Sequence, residues 1–338
     1  MTGRKIKVLV VDDSLLFREV IARGIETDPA IEVVARATDP FDARDKIIRY
    51  EPDVMTCDVE MPKMNGIEFI KRLIPQYPLP VIVISTVSEA VFDALNAGAV
   101  DFVTKPDIQS AISAENFIKD IIQKIKIAAN AKISSAKGMS PVSTPGGRIN
   151  TKKIVAIGAS TGGTEAIFSL LKNLPAEMPG ILIVQHIPPV FSAMFAQRLD
   201  NQTRLNVKEA RTGDFLEPGM VFIAPGNMHM KIKSAGDRFR IETFAGDKVN
   251  GHCPSVDVLF ESVAKEAGSS SIGIMLTGMG HDGARGLLAM RRKGARTIGQ
   301  DEQSCVVYGM PKVAYDIGAV EKQASLQNIP QVLMAMLK

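Results

Sequence analysis

Two groups of residues in this 338-residue chain have types and spacings that suit chemistry. The first is a set of carboxylates with a lysine. Asp12 and Asp13 follow an apolar run, Asp58 follows another, Ser85 closes VIVIS, and Lys105 precedes Pro106. Carboxylates gathered at one place repel one another unless a hard cation such as Mg²⁺ sits among them. With a lysine and a hydroxyl alongside, the set suits phosphoryl transfer: Asp58 attacks as the nucleophile while Mg²⁺ and Lys105 neutralise phosphoryl oxygens. Any one aspartate alone also reads as a helix cap or turn former. The five positions together make one coherent pocket.

The second group centres on Gly158-Ala159-Ser160-Thr161-Gly162. This glycine-rich corner fails the G-x-G-x-x-G dinucleotide pattern, and it lacks the lysine of a phosphate-binding loop. It fits G-x-S-x-G, in which small residues allow a sharp strand-to-helix turn that presents the serine hydroxyl near backbone N–H groups. A nucleophilic Ser160 needs a base and an acid that orients it. His186 follows the apolar run Ile181-Leu182-Ile183-Val184, and Asp282 lies in TGMGHDG beyond SIGIML, so both emerge where strands end. Read singly, His186 is a hydrogen-bonded histidine at a core edge and Asp282 a turn residue or a cap for the next helix. Their convergence on one rim with Ser160 favours a Ser160–His186–Asp282 relay. His229, His252 and His281 are read as surface or turn residues.

These residues need elements that bring them together. Over residues 1–124, strand-like KVLVVDD, EVVARAT, VMTCDV, PVIVIS and DFVTKP alternate with segments whose apolar residues recur at helical spacing. That order predicts a flavodoxin-like (βα)5 domain with a parallel sheet, in which ligands bind at the carboxyl ends of strands. Residues 125–152, rich in Ser, Pro, Gly and Lys, read as a flexible linker. A second α/β series over residues 153–338 predicts a doubly wound, largely parallel sheet. KIKSAG and RFRIETF add an antiparallel hairpin.

Composition limits the function classes. A 46% hydrophobic and 23% charged chain without Trp is an ordinary soluble α/β composition. No apolar run reaches the roughly 18 to 20 residues of a membrane span, and the first residues lack the apolar core of a signal peptide, so a cytoplasmic protein without membrane insertion is expected. Net charge is −5 over residues 1–124 and +3 over 153–338, with five basic and no acidic residues between. Neither value argues for nucleic acid. Cys57, Cys253 and Cys305 lack the paired spacing of zinc sites or disulfide frameworks, so reduced thiols and no structural metal are expected.

VLVVDDS, CDVEMPKMNGIEF, VISTVS and GAVDFVTKP resemble the receiver domains of two-component response regulators. The resemblance implies that Asp58 accepts a phosphoryl group from a histidine kinase, that Asp12, Asp13 and Asp58 hold Mg²⁺, and that Lys105 contacts the phosphate. It makes Ser85 and Phe102 the switching pair. Farther on, GASTGG, QHIP, FIAPG, CPSVD, LTGMGHDGA and SCVVYGMP occur in the order found in chemotaxis response-regulator protein-glutamate methylesterases, also called the CheB family. That resemblance implies hydrolysis of glutamyl γ-methyl esters on the cytoplasmic domains of chemoreceptors, with deamidation of particular glutamines and no cofactor for the hydrolysis. It carries over Ser160 as nucleophile, His186 as base, Asp282 as orienting acid, and Thr161 with the Met279 backbone N–H near the oxyanion. Regulation is then expected through a receiver that covers the Ser160 rim until Asp58 is phosphorylated. A non-catalytic binding module and a nucleotide-dependent oxidoreductase are the competing readings. The second lacks its glycine fingerprint, and a DNA-binding output does not match α/β alternation at near-neutral charge.

Overall fold

The computed structural model describes residues 4–86, 88–106, 111–133 and 149–338. The chain divides into two compact units, Met1–Ala136 and Lys137–Lys338.

The first unit alternates strand and helix throughout. Its elements are β1 (Ile6–Val11), α1 (Leu15–Ile25), β2 (Ile31–Ala37), α2 (Pro40–Tyr50), β3 (Val54–Asp58), α3 (Gly66–Leu73), β4 (Val81–Ser85), α4 (Ser88–Asn96), β5 (Asp101–Thr104) and α5 (Ala111–Ala128). The strands form one parallel sheet in the order β2-β1-β3-β4-β5. β3 and β4 are buried end to end, as expected for central strands covered by helices on both faces. Polar residues placed at the strand ends start the helices. Ser14 caps α1 by accepting from the Phe17 N–H, and Asp39 caps α2 ahead of Pro40. Helix α5 continues past residue 124, where the sequence reading begins the linker. Ile121, Ile125 and Ala128 are all fully buried along one face of it, and that burial keeps the helix going. Residues 134–148 of the expected linker lie outside the described residues.

The second unit opens with β6 (Ile154–Ala159), α6 (Gly163–Lys172), β7 (Gly180–Gln185), α7 (Phe191–Gln202), β8 (Asn206–Glu209), β9 (Phe215–Leu216), β10 (Met220–Ile223), β11 (His229–Ala235) and β12 (Arg238–Phe244). It closes with α8 (Val256–Glu266), β13 (Ser271–Met275), α9 (Ala284–Arg292), β14 (Arg296–Gln300), α10 (Met310–Asp316), β15 (Lys322–Ala324) and α11 (Ile329–Met336). Seven strands form a parallel sheet in the order β15-β14-β13-β6-β7-β10-β8. The expected hairpin, β11 with β12, takes up β9 and forms a separate three-stranded antiparallel sheet.

Strand β6 lies between β7, its successor in the chain, and β13, which follows more than a hundred residues later. This is the point at which strand order reverses, and in open α/β sheets ligands bind at the carboxyl ends beside such a point. Behind it, α8 packs on α9 and β11 through Leu259, Phe260, Leu287 and Met290, all fully buried. A close-packed core therefore underlies the ends of these strands and keeps the residues there in place.

Candidate active site and phosphoacceptor pocket

Ser160 follows the last residue of β6, and the two neighbouring ladders continue far enough to fix its surroundings. On one side the His186 N–H donates to the Ala159 carbonyl at 3.1 Å; on the other the Ser160 N–H donates to the Thr277 carbonyl at 3.0 Å. The ends of β7 and β13 thus bring His186 and the Thr277–Gly278 turn to either side of Ser160. Two glycines are required by this geometry. Gly162 adopts φ +74° as it leads into α6, a left-handed conformation that side chains disfavour. Gly278 is pressed so closely on the serine that a Cβ there would stand 2.7 Å from Ser160 Cβ. Thr161 is buried, and its carbonyl accepts the Thr277 hydroxyl at 3.0 Å. Met279 follows Gly278 on the same turn and is 48% exposed, so it forms part of the rim.

Asp282 is almost completely buried, at 1% exposure, and its carboxylate is surrounded by donors. His186 Nε2 lies 2.9 Å from Oδ2, and the Val256 N–H donates to the same oxygen at 2.7 Å. Oδ1 accepts from Ser255 Oγ at 2.7 Å, from Asn250 Nδ2 at 2.9 Å and from the Asp257 N–H at 3.3 Å. Val256 and Asp257 open α8, so Asp282 also sits against the positive end of a helix dipole. Read singly in the sequence, Asp282 is a turn residue or a cap for the helix that follows it; in the fold it satisfies the start of α8 instead. Burial works against the charge, yet the hydrogen bonds from His186, Asn250 and Ser255 together with the His186 charge outweigh it. They hold Asp282 well below the usual carboxylate range.

His186 is held on two sides. Nε2 is engaged by Asp282, and the His252 ring stacks on its face with centroids 3.7 Å apart and planes 6° from parallel. Nδ1 is buried and makes no hydrogen bond. It is the ring nitrogen that Asp282 leaves free, since an ionised carboxylate can only accept and Nε2 must carry the proton between them.

The other three histidines differ in burial and in what they touch. His281 is exposed. His252, read as a surface or turn residue, lies in the tight loop closed by the Val249–His252 bridge, and its ring covers His186. His229 is 2% exposed: it starts β11, contacts the Asp247 carbonyl through Nε2 at 2.9 Å and accepts the Ser255 N–H on Nδ1 at 3.2 Å. It supports the residue before α8 and does not reach the Ser160 rim through any of these bonds.

The residues that sequence reasoning missed are mainly those behind the relay. Asn250 donates to Asp257 at 2.7 Å and to Asp282 at 2.9 Å, linking two buried carboxylates. Gln185 donates to the carbonyls of Ser160 and His186 at 2.9 and 3.1 Å, which ties the ends of β6 and β7 together. The sequence held a trace of the first arrangement. CPSVD places a serine directly before a helical run, which is the position of an N-cap. Here the Ser255 hydroxyl donates to Asp282 and makes no cap bond to α8.

In the first unit, Asp12 and Asp58 are buried beside one another, with Asp13 exposed at their edge. One carboxylate oxygen from each of Asp12, Asp13 and Asp58 lies within 4.8 Å of the other two. Lys105 Nζ stands 2.6 Å from Asp58 Oδ2 and 2.9 Å from Asp12 Oδ2. Burial lifts Asp12 above the usual carboxylate range against the pull of Lys105. It disfavours the Lys105 charge too, but the bonds to Asp58 and Asp12 outweigh this and raise the lysine. Ser85 ends β4 at 1% exposure, and Phe102 in β5 is likewise buried, with Lys124 Nζ 5.1 Å from its ring centroid. Cys57 is fully buried, and burial pushes its thiol up, so it acts as a small apolar residue. Three oxygen ligands converging on one point fit a hard divalent cation.

Comparison with known proteins agrees with both units. Residues 155–333 match the CheB methylesterase family, and residues 8–115 match the response regulator receiver domain. A protein-glutamate methylesterase/protein-glutamine glutaminase of Syntrophomonas wolfei is 57% identical, covering 100% of this chain and 99% of its own. One of the same name from Syntrophotalea carbinolica is 48% identical over 99% and 98%. Among solved structures, the Thermotoga maritima CheB methylesterase catalytic domain is 37% identical with a TM-score of 0.53, covering 54% of this chain and 98% of that one. Among the described residues no helix is long and apolar enough to cross a membrane. The chain belongs to the CheB methylesterase family, with a response regulator receiver domain preceding the catalytic one.

Proposed function

We propose that this chain is a phosphorylation-activated serine hydrolase that removes methyl groups from glutamate γ-methyl esters of chemoreceptors, and deamidates receptor glutamines, to give sensory adaptation. The contact between His186 Nε2 and Asp282, beside Ser160 at the point of strand reversal, carries the reading. His186 Nδ1 takes the proton from Ser160 Oγ as the oxygen attacks the ester carbonyl. The imidazolium returns that proton to the departing methoxide, and methanol leaves. Water then loses a proton to Nδ1 and hydrolyses the acyl-enzyme, freeing glutamate and Ser160; with a glutamine the first product is ammonia. Asp282 keeps the ring in one tautomer and stabilises its positive form. Backbone N–H groups at the start of α6 and at Met279 bind the oxyanion beside Thr161, each worth about 10²- to 10³-fold in rate.

Asp58 is the phosphoacceptor for a histidine kinase. Asp12, Asp13 and Asp58 would hold Mg²⁺, whose charge offsets that of the incoming phosphoryl group. Lys105 already bridges Asp12 and Asp58, which places an ammonium between the two buried carboxylates and orients Asp58. Ser85 and Phe102 read out the phosphoryl group, and the enzyme works in the cytoplasm on receptor cytoplasmic domains. The test is methanol release from a panel of methylated receptors, with and without a small phosphodonor and Mg²⁺. Release that rises with the phosphodonor is expected. A folded, phosphorylated protein that releases none from any receptor would contradict the reading.

A further inference from the structure

The His186 side chain has one hydrogen-bonded nitrogen, one buried nitrogen without a partner, and one covered face. A single hydrogen bond to Asp282 fixes the position of Nε2 but leaves the ring free to rotate about that contact. Rotation of the plane would swing Nδ1 away from Ser160. Among the described residues, the aromatic surface that opposes this rotation is His252, parallel to within 6° at 3.7 Å. Its loop is tied down independently of the stack. Val249 and His252 exchange backbone hydrogen bonds at 3.0 Å each, and the Asn250 side chain between them donates to both Asp257 and Asp282. Two residues beyond, Pro254 leads into Ser255, which donates to Asp282 as well. The same loop thus holds the carboxylate and the plane of the ring that the carboxylate binds.

We propose that His252 is a positioning residue: its flat ring fixes the plane of the His186 imidazole so that Nε2 stays on Asp282 and Nδ1 stays available to Ser160. The inference rests on His186 acting as the base. It adds a second role in the transition state, because a neutral aromatic face laid against His186 also attracts the imidazolium formed when Ser160 is deprotonated. His252 suits that role. Burial and the His186 charge push it down to about 4, with Lys248 and His281 acting the same way against the opposing pull of Asp282. It therefore stays uncharged at neutral pH and does not repel the ring it covers.

The experiment uses the full chain in three variants, H252A, H252F and H186Q, activated with a small phosphodonor and Mg²⁺. Steady-state methanol release gives kcat and KM, and ¹⁵N shifts of the His186 ring report its tautomer. For H252A the expected result is a fall in kcat of about threefold to thirtyfold, the range of a desolvated cation–π contact, with KM unchanged. The His186 ring should change from a single tautomer, protonated on Nε2, to a mixture. H252F keeps a flat neutral ring and should restore most of kcat and the single tautomer, which also guards against misfolding of the alanine variant. H252A with wild-type kcat, a change confined to KM, or H252F as impaired as H252A would each overturn the proposal. H186Q separates the two levels. An inactive H186Q beside a fully active H252A removes the role of His252 alone, whereas an active H186Q removes the base and the positioning role with it.

Discussion

Asp282 meets His186 at Nε2, at 2.9 Å, and leaves Nδ1 as the free nitrogen of the ring. In the familiar serine protease relay the acid binds Nδ1 and the serine faces Nε2. Here the acid meets Nε2, and the cause is topological: His186 leaves the end of β7 beside Ser160, while Asp282 lies against the start of α8.

Replacing Asp282 by Asn tests that orientation. An amide nitrogen facing Nε2 would favour the tautomer protonated on Nδ1, which cannot accept the Ser160 proton. A loss of about 10⁴-fold in kcat is expected, as for the equivalent change in a serine protease, with receptor binding retained. Methanol-release kinetics and a receptor-binding titration measure the two parts.

The depressed Asp282 fixes a direction for stability against pH. A carboxylate whose folded-state pKa lies below the unfolded value contributes stability that is fully present above about pH 4 to 5 and is lost as pH falls through the depressed range. Asn250→Ala removes one of its donors and leaves Asp257 with one fewer as well. The variant should be less stable by about 1–3 kcal/mol at pH 7, with the deficit shrinking in acid as the carboxylates protonate. Urea denaturation of both proteins between pH 3 and pH 7, roughly spanning the carboxylate range, measures this.

Gly278→Ala tests how closely Ser160 is held. The added methyl would meet Ser160 Cβ at 2.7 Å and Met310 Sδ at 2.5 Å. The methionine can move, but the serine Cβ is fixed by the backbone. A displacement of the nucleophile by a fraction of an ångström should cost about 10²-fold in kcat while Asp58 phosphorylation proceeds normally.

In the receiver unit, Lys105→Met removes the one cation between Asp12 and Asp58 among the described residues. With that competing charge gone, Mg²⁺ should bind about tenfold more tightly, one decade corresponding to about 1.4 kcal/mol. Activation by a phosphodonor should nevertheless fall, because the lysine no longer orients the acceptor or contacts the phosphoryl group. Calorimetric Mg²⁺ titration and stimulated methanol release read the two opposing effects.

The alternation of elements was legible because buried parallel strands such as Val81–Ser85 are apolar throughout, and the residues that end them are polar. The rim could be read for the same reason: Ser160, His186 and Asp282 each follow an apolar run. Short edge strands such as Asn206–Glu209 and Lys322–Ala324 escaped, since three or four largely polar residues carry no period. His252 and Asn250 escaped for a different reason. Their roles come from one loop, and no local spacing encodes the contact of His252 with a ring sixty-odd residues earlier or of Asn250 with a carboxylate about thirty residues later.

The most direct measurement is methanol release by Ser160→Ala from methylated receptor, after activation with a phosphodonor and Mg²⁺. The expected result is full phosphorylation of Asp58 with methanol release abolished. Release by this variant at a substantial fraction of the wild-type rate would contradict the assignment of Ser160 as the nucleophile, and with it the serine-hydrolase mechanism.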